Sequence, residues 1–273
     1  MYLTYFGLNE SPFSITPDTQ FACSVASHEE ALNTLLLAIH GGEGFVKITG
    51  EVGVGKTLLC RKLLSVLGDD RVAAYLPNPQ LEPRAMLAEV AAELGTDVGV
   101  DASMLVKAIN RRVLDIAEQG KTAVLLIDEA QTMPALTLQT LRLLTNLETE
   151  KRKLIQIVLF GQPELDDLLA EKSARQVLQR ITFHYRMPGL ARHELGIYLQ
   201  HRLRVAGHRG PALFSRAARW ALYRHSNGMP RLVNVLAHKA MLSAFGEGAE
   251  RVGYRHVRHA ARDTESAFKR GWI

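Results

Sequence analysis

The spacing of apolar positions changes in a regular way along the chain and marks out its elements. Apolar runs of strand length stand at Phe45–Thr49, Val72–Leu76, Ala123–Ile127 and Ile155–Phe160, with a weaker one at Thr182–Met187. Runs this short, bounded by Gly, Pro or charge, read as strands buried in a sheet. Between them the period lengthens to that of helices over Ser27–His40, Lys56–Leu67, Arg84–Leu94, Asp101–Gln119 and Pro134–Leu147, with short helices across Glu164–Leu178. Ser27, with Glu30 three residues on, has the form of a capping box. Gly41–Gly42 stop that helix, Pro83 suits a first helical turn, and Asp101 suits an N-cap. After Pro188 only helical patterns follow: Ala191–Val205, Phe214–Ser226, Pro230–Phe245 and Tyr254–Phe268. Residues 1–26 are irregular, and their aromatics (Tyr2, Tyr5, Phe6, Phe13, Phe21) are expected to fasten this arm to the strand-bearing core.

Alternating strands and helices imply α/β architecture, here a five-stranded parallel sheet flanked by helices, with an all-helical C-terminal appendage. The expected division is 1–188 and 189–273. Composition narrows the class. The chain has 273 residues, 47% of them hydrophobic and 22% charged, which fits a globular protein and excludes a disordered one. Cys23 and Cys60 have no paired spacing, so a reducing compartment is expected. The first basic residue is Lys47, so a basic leader is missing, and no apolar run approaches the roughly 20 residues of a membrane span. A cytoplasmic location follows as the expectation. Charge is uneven: residues 201–273 hold 14 Lys and Arg against 4 Asp and Glu, within a chain of net charge +5. Such a region meets something acidic or is a solvated arginine-rich surface.

The chemistry concentrates in two places. Gly50-Glu51-Val52-Gly53-Val54-Gly55-Lys56-Thr57, followed by Leu58, fits G-x-x-x-x-G-K-[ST] at every fixed position, after a strand and before a helix. Glycines let backbone N–H groups turn inward around a phosphate, and the helix N-terminus adds positive potential. Lys56 is then expected on the β- and γ-phosphates, with the Thr57 hydroxyl on Mg²⁺. The second place is Val124–Ile127 followed by Asp128 and Glu129. Ligands of open α/β sheets bind at the carboxyl ends of strands. Asp128 is expected to hold the metal with Thr57, and Glu129 to polarise an attacking water. Guanine-specific P-loop proteins carry [NT]-K-x-D. No lysine here has Asp two residues later, so ATP is expected. His256 and His259 could share a helix face, but a solvated basic helix is the simpler reading than a metal site. Phe214 and Trp220 read as core of the second C-terminal helix, and Cys60 as core of the P-loop helix.

The motifs as a set carry a resemblance. Tyr5-Phe6-Gly7-Leu8 with Pro12-Phe13, Pro17-Asp18, His28-Glu29-Glu30-Ala31-Leu32, the P-loop, Leu126-Ile127-Asp128-Glu129-Ala130-Gln131, Phe160-Gly161-Gln162-Pro163-Glu164-Leu165, Gln179-Arg180 and Gly228-Met229-Pro230-Arg231-Leu232-Val233-Asn234 span the chain. Together they resemble the AAA+ ATPases of the general-secretion A group, with the MshM-type ATPases of mannose-sensitive haemagglutinin pilus biogenesis as the nearest kind. The resemblance implies MgATP hydrolysis in a nucleotide-dependent, hexamer-like homo-oligomer and inner-membrane pilus or secretion proteins as partners. It implies Gln162 as the sensor beside Glu129, Arg231 as the lid arginine on the γ-phosphate of its own subunit, and Arg180, with Arg175 as competitor, as the finger acting in trans. It places Phe21–His28 beside the adenine. Secretion relatives continue into a membrane span and a cell-wall module, so a chain ending at Ile273 is expected to reach the envelope through a partner. The basic C-terminal region leaves a nucleotide-switched DNA-binding ATPase of the transposition type as the alternative, although weak, non-specific DNA binding is the expectation.

Overall fold

A computed structural model describes residues 1–15, 19–21, 23, 25–96, 102–145 and 153–268. The expected cap Asp101, the helix end at Leu147 and the Pro17-Asp18 pair lie outside the described residues. The chain divides into two compact units. One holds Glu30–Gly50 and Leu59–Met187; the other holds Met1–Glu29, Glu51–Leu58 and Pro188–Ile273. This differs from the division at 188 read from the sequence, because the N-terminal arm and the P-loop group with the C-terminal helices.

The first of these units is built on five parallel strands: β1 (Phe45–Gly50), β2 (Arg71–Leu76), β3 (Thr122–Ile127), β4 (Ile155–Gly161) and β5 (Ile181–Met187). Their order is β2-β3-β4-β1-β5, each neighbour parallel. β1 and β4 are buried at every position, and β3 at all but its first, which is why they read as unbroken apolar runs. β5 is one of the two edge strands and exposes Thr182, Phe183 and His184, so its signal was weak. Polar residues inside the sheet are paired. Gln156 of β4 donates to the carbonyls of Ile39 (3.0 Å) and Glu43 (2.9 Å). Lys47 of β1 pairs with Asp166.

The helices, in chain order, are α1 (Tyr2–Tyr5), α2 (Ala26–His40), α3 (Lys56–Val66), α4 (Pro83–Glu93), α5 (Ala102–Glu118), α6 (Ala135–Thr145), α7 (Glu164–Ala170), α8 (Arg175–Leu178), α9 (Glu194–Val205), α10 (Arg216–Ser226), α11 (Pro230–Gly246) and α12 (Tyr254–Arg262). Several ends correct the sequence reading. α2 begins at Ala26, so Ser27 lies in its first turn and is not its cap. The first-turn amide of Ala26 instead donates to the buried Glu194 carboxylate (3.1 Å), which also accepts from Ala191 N–H at 2.7 Å. α10 is capped by Ser215, whose hydroxyl accepts from Ala218 N–H, which leaves Phe214 before the helix, bridged to Val252. α12 stops at Arg262, and beyond the turn Phe268 N–H returns to the His225 carbonyl.

The second unit is a helical bundle of α9–α12 into which the N-terminal arm is built. Phe6, Leu8, Phe13, Phe21 and Val25 share one core with Leu199, Phe214, Leu236 and Val257. The aromatics therefore fasten the arm to the helical unit and not to the strand-bearing one, because the bundle offers the open apolar face. Arg202 of α9 holds it: Nε donates to Pro12 O (2.6 Å), a second nitrogen to Ser14 O (3.3 Å), and the guanidinium lies 4.9 Å from the Phe21 ring centroid. Tyr198 donates to Asn234 (2.9 Å), whose amide reaches Ser14 O at 3.4 Å. Trp220, expected in the core, is 39% exposed, with Arg224 stacked over it at 5.3 Å.

Candidate functional site

The residues of the two core motifs fall into two clusters, one in each unit. In the helical unit the P-loop turns through Gly53 (φ +78°) and Gly55 (φ +112°), conformations that side chains rarely adopt. Space forbids a side chain as well. A Cβ on Gly53 would lie 2.4 Å from Arg231 Cβ, and one on Gly55 2.5 Å from His28 Nε2. Both neighbours touch the loop directly. Arg231, in the first turn of α11, donates its N–H to Gly53 O (3.2 Å), and His28 Nε2 lies 3.1 Å from Val54 O. Lys56 is buried, with Nζ donating to Glu51 O (3.1 Å) across the loop. Thr57 and Leu58, half-buried, continue the first turns of α3. A cavity of about 690 Å³ opens beside Glu51 and Val52, with Asn227, Met229, Arg231 and Phe268 in its wall. That volume lies in the range of about 300–1,000 Å³ typical of small-ligand sites.

In the strand-bearing unit the carboxyl ends of β3 and β4, which are neighbours, bring Asp128, Glu129 and Gln162 together. Asp128 is buried, and one of its oxygens accepts from Glu129 N–H at 2.9 Å. The Tyr75 hydroxyl from β2 hydrogen-bonds the same carboxylate. Burial, then the nearby Cys60 and Asp128, push the Tyr75 phenol up to about 12, so it stays a donor at neutral pH. Burial likewise pushes the Cys60 thiol up, which makes it an inert core thiol. Glu129 adopts φ 51°, ψ 36°, a left-handed conformation costly for a non-glycine residue. Two amides hold its Oε2 there: Gln131 Nε2 at 2.6 Å and Gln162 Nε2 at 3.0 Å. The backbone N–H of Gln162 in turn donates to Gln131 Oε1 (2.9 Å), closing a ring through Glu129, Gln131 and Gln162. Strain held by neighbours in this way is characteristic of functional positions.

Arg180 precedes β5 at the opposite end of the sheet. Seven residues at about 3.3 Å each put roughly 20 Å of strand between it and the carboxyl edge. Arg175 is exposed on α8. His256 is engaged at both ring nitrogens, accepting from Gly253 N–H (2.9 Å) and facing Glu247 (3.1 Å), so it shapes the start of α12. Sequence reasoning gave no part to Tyr75 or Gln131, and placed His28 only within the segment expected beside the adenine, without its contact to the P-loop. The last two stand inside motifs already quoted; Tyr75 shows itself only as the aromatic near the end of a strand adjoining β3.

These geometries can be set beside known proteins. Residues 39–169 match the family model described as an AAA domain. The model superposes on Aeropyrum pernix ORC2 in its ADPNP–ADP complexes with a TM-score of 0.64 over 92% of this chain and 72% of that one, at 18% identity. The fold is that of the AAA+ ATPases. Two further structures share the fold: Pyrobaculum aerophilum CDC6P gives a TM-score of 0.64 over 91% of this chain and 71% of that one at 19% identity, and the Thermotoga maritima RuvB Holliday junction branch migration motor gives 0.58 over 90% and 73% at 16% identity. At these identities the likeness concerns the fold. In sequence the chain is 39% identical to general secretion pathway protein A of Aeromonas hydrophila across 99% of its own length, which bears out the resemblance to the general-secretion A group. The chain spans 50% of the length of that relative. Among the described residues, no helix is long and apolar enough to cross a membrane.

Proposed function

We propose that this AAA+ chain hydrolyses MgATP to drive or regulate assembly of an envelope secretion or pilus system, MSHA-type pilus biogenesis among them. The observation that carries the chemical reading is Glu129, a carboxylate held in a strained backbone conformation by Gln131 and Gln162 at the carboxyl edge of the sheet. The role in an assembly system rests on the similarity to general secretion pathway protein A.

In this reading the N–H groups of Gly50–Leu58 wrap the phosphates and Lys56 leaves Glu51 O for the β- and γ-phosphates. The Thr57 hydroxyl and the Asp128 carboxylate, both hard oxygen donors, suit Mg²⁺, which supplies charge neutralisation of the phosphates when bound. Glu129 takes the proton of the attacking water and Gln162 orients that water. Arg231 pairs with the γ-phosphate of its own subunit. Arg180 acts on a neighbouring subunit in a nucleotide-dependent, ring-like homo-oligomer, and its place at the far end of β5 from the carboxyl edge supports a role in trans. The chain works in the cytoplasm, peripheral to the inner membrane through a partner.

Two variants test this. Lys56→Ala should lose nucleotide binding. Glu129→Gln should bind ATP normally and lose turnover by about 10²-fold or more, the scale of a lost general base. Normal turnover by Glu129→Gln would remove the reading.

A further inference from the structure

The helical unit carries a second recess. It is formed by α9, the 207–214 loop and the start of α10, and has a volume of about 200 Å³. Its floor is apolar: Leu199 and Leu203, one turn apart on α9, with Leu213 and Phe214 opposite, all four buried. Its rim is basic, with Arg204, Arg209 and Arg219, and among the described residues its lining includes no carboxylate. His208 braces the loop, its ring nitrogens 2.8 Å from Phe6 O and 3.1 Å from Pro211 O.

Arg219 divides this recess from a neighbouring depression lined by Arg192, Arg216 and Trp220. Its guanidinium lies across Gly196, where an added Cβ would stand 2.9 Å from one of its nitrogens. Arg219 Nε is buried with no hydrogen-bond partner among the described residues. An unpaired buried donor is costly, and no acceptor among the described residues fixes the guanidinium through this nitrogen, which leaves it to turn toward an incoming carboxylate.

We infer that this surface docks an acidic segment of a partner protein, which inserts one apolar side chain into the recess and sets its flanking carboxylates on Arg204, Arg209 and Arg219. Size and polarity choose this occupant. The recess falls below the range of about 300–1,000 Å³ of small-molecule sites but suits one side chain. Phosphate backbones bind basic surfaces and make no use of an apolar floor. The charge of the rim selects an acidic partner and steers it. The inference does not rest on the ATPase reading, since none of these residues belongs to the proposed nucleotide site.

The test is fluorescence anisotropy near physiological salt with three fluorescein-labelled probes. One is a short Asp/Glu peptide with a single central leucine, one the same peptide with serine for leucine, and one a single-stranded oligonucleotide of equal charge. The leucine probe should bind at least about tenfold tighter than the serine probe, the scale of burying one leucine side chain. The double variant R204E/R209E should weaken the leucine probe by about tenfold. Gly196→Leu, a helix-compatible substitution, moves the flexible end of Arg219 and fills the recess from α9; it should erase the leucine preference while the serine probe still binds. Melting temperature and basal ATP turnover should match the parent in both variants. Equal binding of the two peptides, tighter binding of the oligonucleotide, a leucine preference that survives Gly196→Leu, or binding of none of the three would each overturn the inference.

Discussion

A carboxylate does the work of a base only where its backbone and its neighbours place it. Glu129 is held at φ 51° by the amides of Gln131 and Gln162, and Asp128 by the hydroxyl of Tyr75. These supporting contacts make two predictions. Gln131→Ala frees one side of Glu129 and should lower turnover about tenfold or more with nucleotide affinity unchanged, since small misplacements of a reacting group are expensive. Tyr75→Phe removes the hydrogen bond to Asp128 and should raise the Mg²⁺ concentration for half-maximal turnover about tenfold, the effect of losing an outer partner of a metal ligand. The readout is a Mg²⁺ titration of steady-state rate; an unchanged midpoint would show Tyr75 to be only a packing residue. The position of Asp128 and Glu129 at the end of a buried strand was legible because they follow an apolar run, whereas Gln162 came only with the resemblance. Tyr75 was not legible, because it acts across the sheet from β2, and strand order cannot be read from one sequence.

Among the elements, the buried parallel strands were the most legible, because β1, β3 and β4 bury both faces and leave no polar interruption beyond Lys47, Thr49 and Gln156. Helix ends were less so. Tertiary partners decided them: Glu194 serves the start of α2 from a distant segment, and Val252 draws Phe214 out of α10. The arm was misassigned for the same reason, since its tie to α9 runs through Arg202, an arginine indistinguishable in sequence from its solvated neighbours. Arg202→Leu should destabilise the helical unit by about 3 kcal/mol, the upper range for hydrogen bonds to a charged group, and should open residues 1–15 to proteolysis. A thermal melt and limited digestion measure both. Two histidines set a pH dependence. Partial burial of the ring lowers His184, although its edge position leaves the residue as a whole exposed; its Nε2 meets the Thr49 hydroxyl at 3.0 Å, and burial also lowers His238. Each folded pKa lies below the unfolded 6.5, so the unfolded chain takes up more protons and stability falls as pH drops through about 6.5 and below. Melting temperature should be lower at acid pH than at neutral pH, and His184→Asn should flatten the difference.

The whole molecule adds relations that no single element shows. Arg180, at the end of β5 remote from the carboxyl edge, yields the prediction that Arg180→Ala binds ATP but hydrolyses it about 10³-fold more slowly, the worth of an arginine supplied in trans. Mixing it with Lys56→Ala should restore part of the rate, because one kind of mixed interface then has both an intact P-loop and a finger. Absence of rescue in confirmed mixed oligomers would place the finger elsewhere, with Arg175 the next variant to examine. The excess of positive charge after residue 200 sets the control for the assembly reading. DNA affinity should be weak near physiological salt, fall steeply as salt rises, and be indifferent to ATP or ADP. Tight ATP-dependent filament formation on duplex DNA would favour the transposition-type alternative. The P-loop itself belongs to the unit closed by α9–α12, with Arg231 N–H on Gly53 O. Its timing on the ribosome follows. Roughly 170 residues separate the loop from α11, and at about 5–20 residues per second they take roughly 10–35 s to synthesise. Throughout that interval the nascent chain carries its phosphate-binding sequence without the helix that completes it, so ATP capture comes late in synthesis, however early its motif is translated.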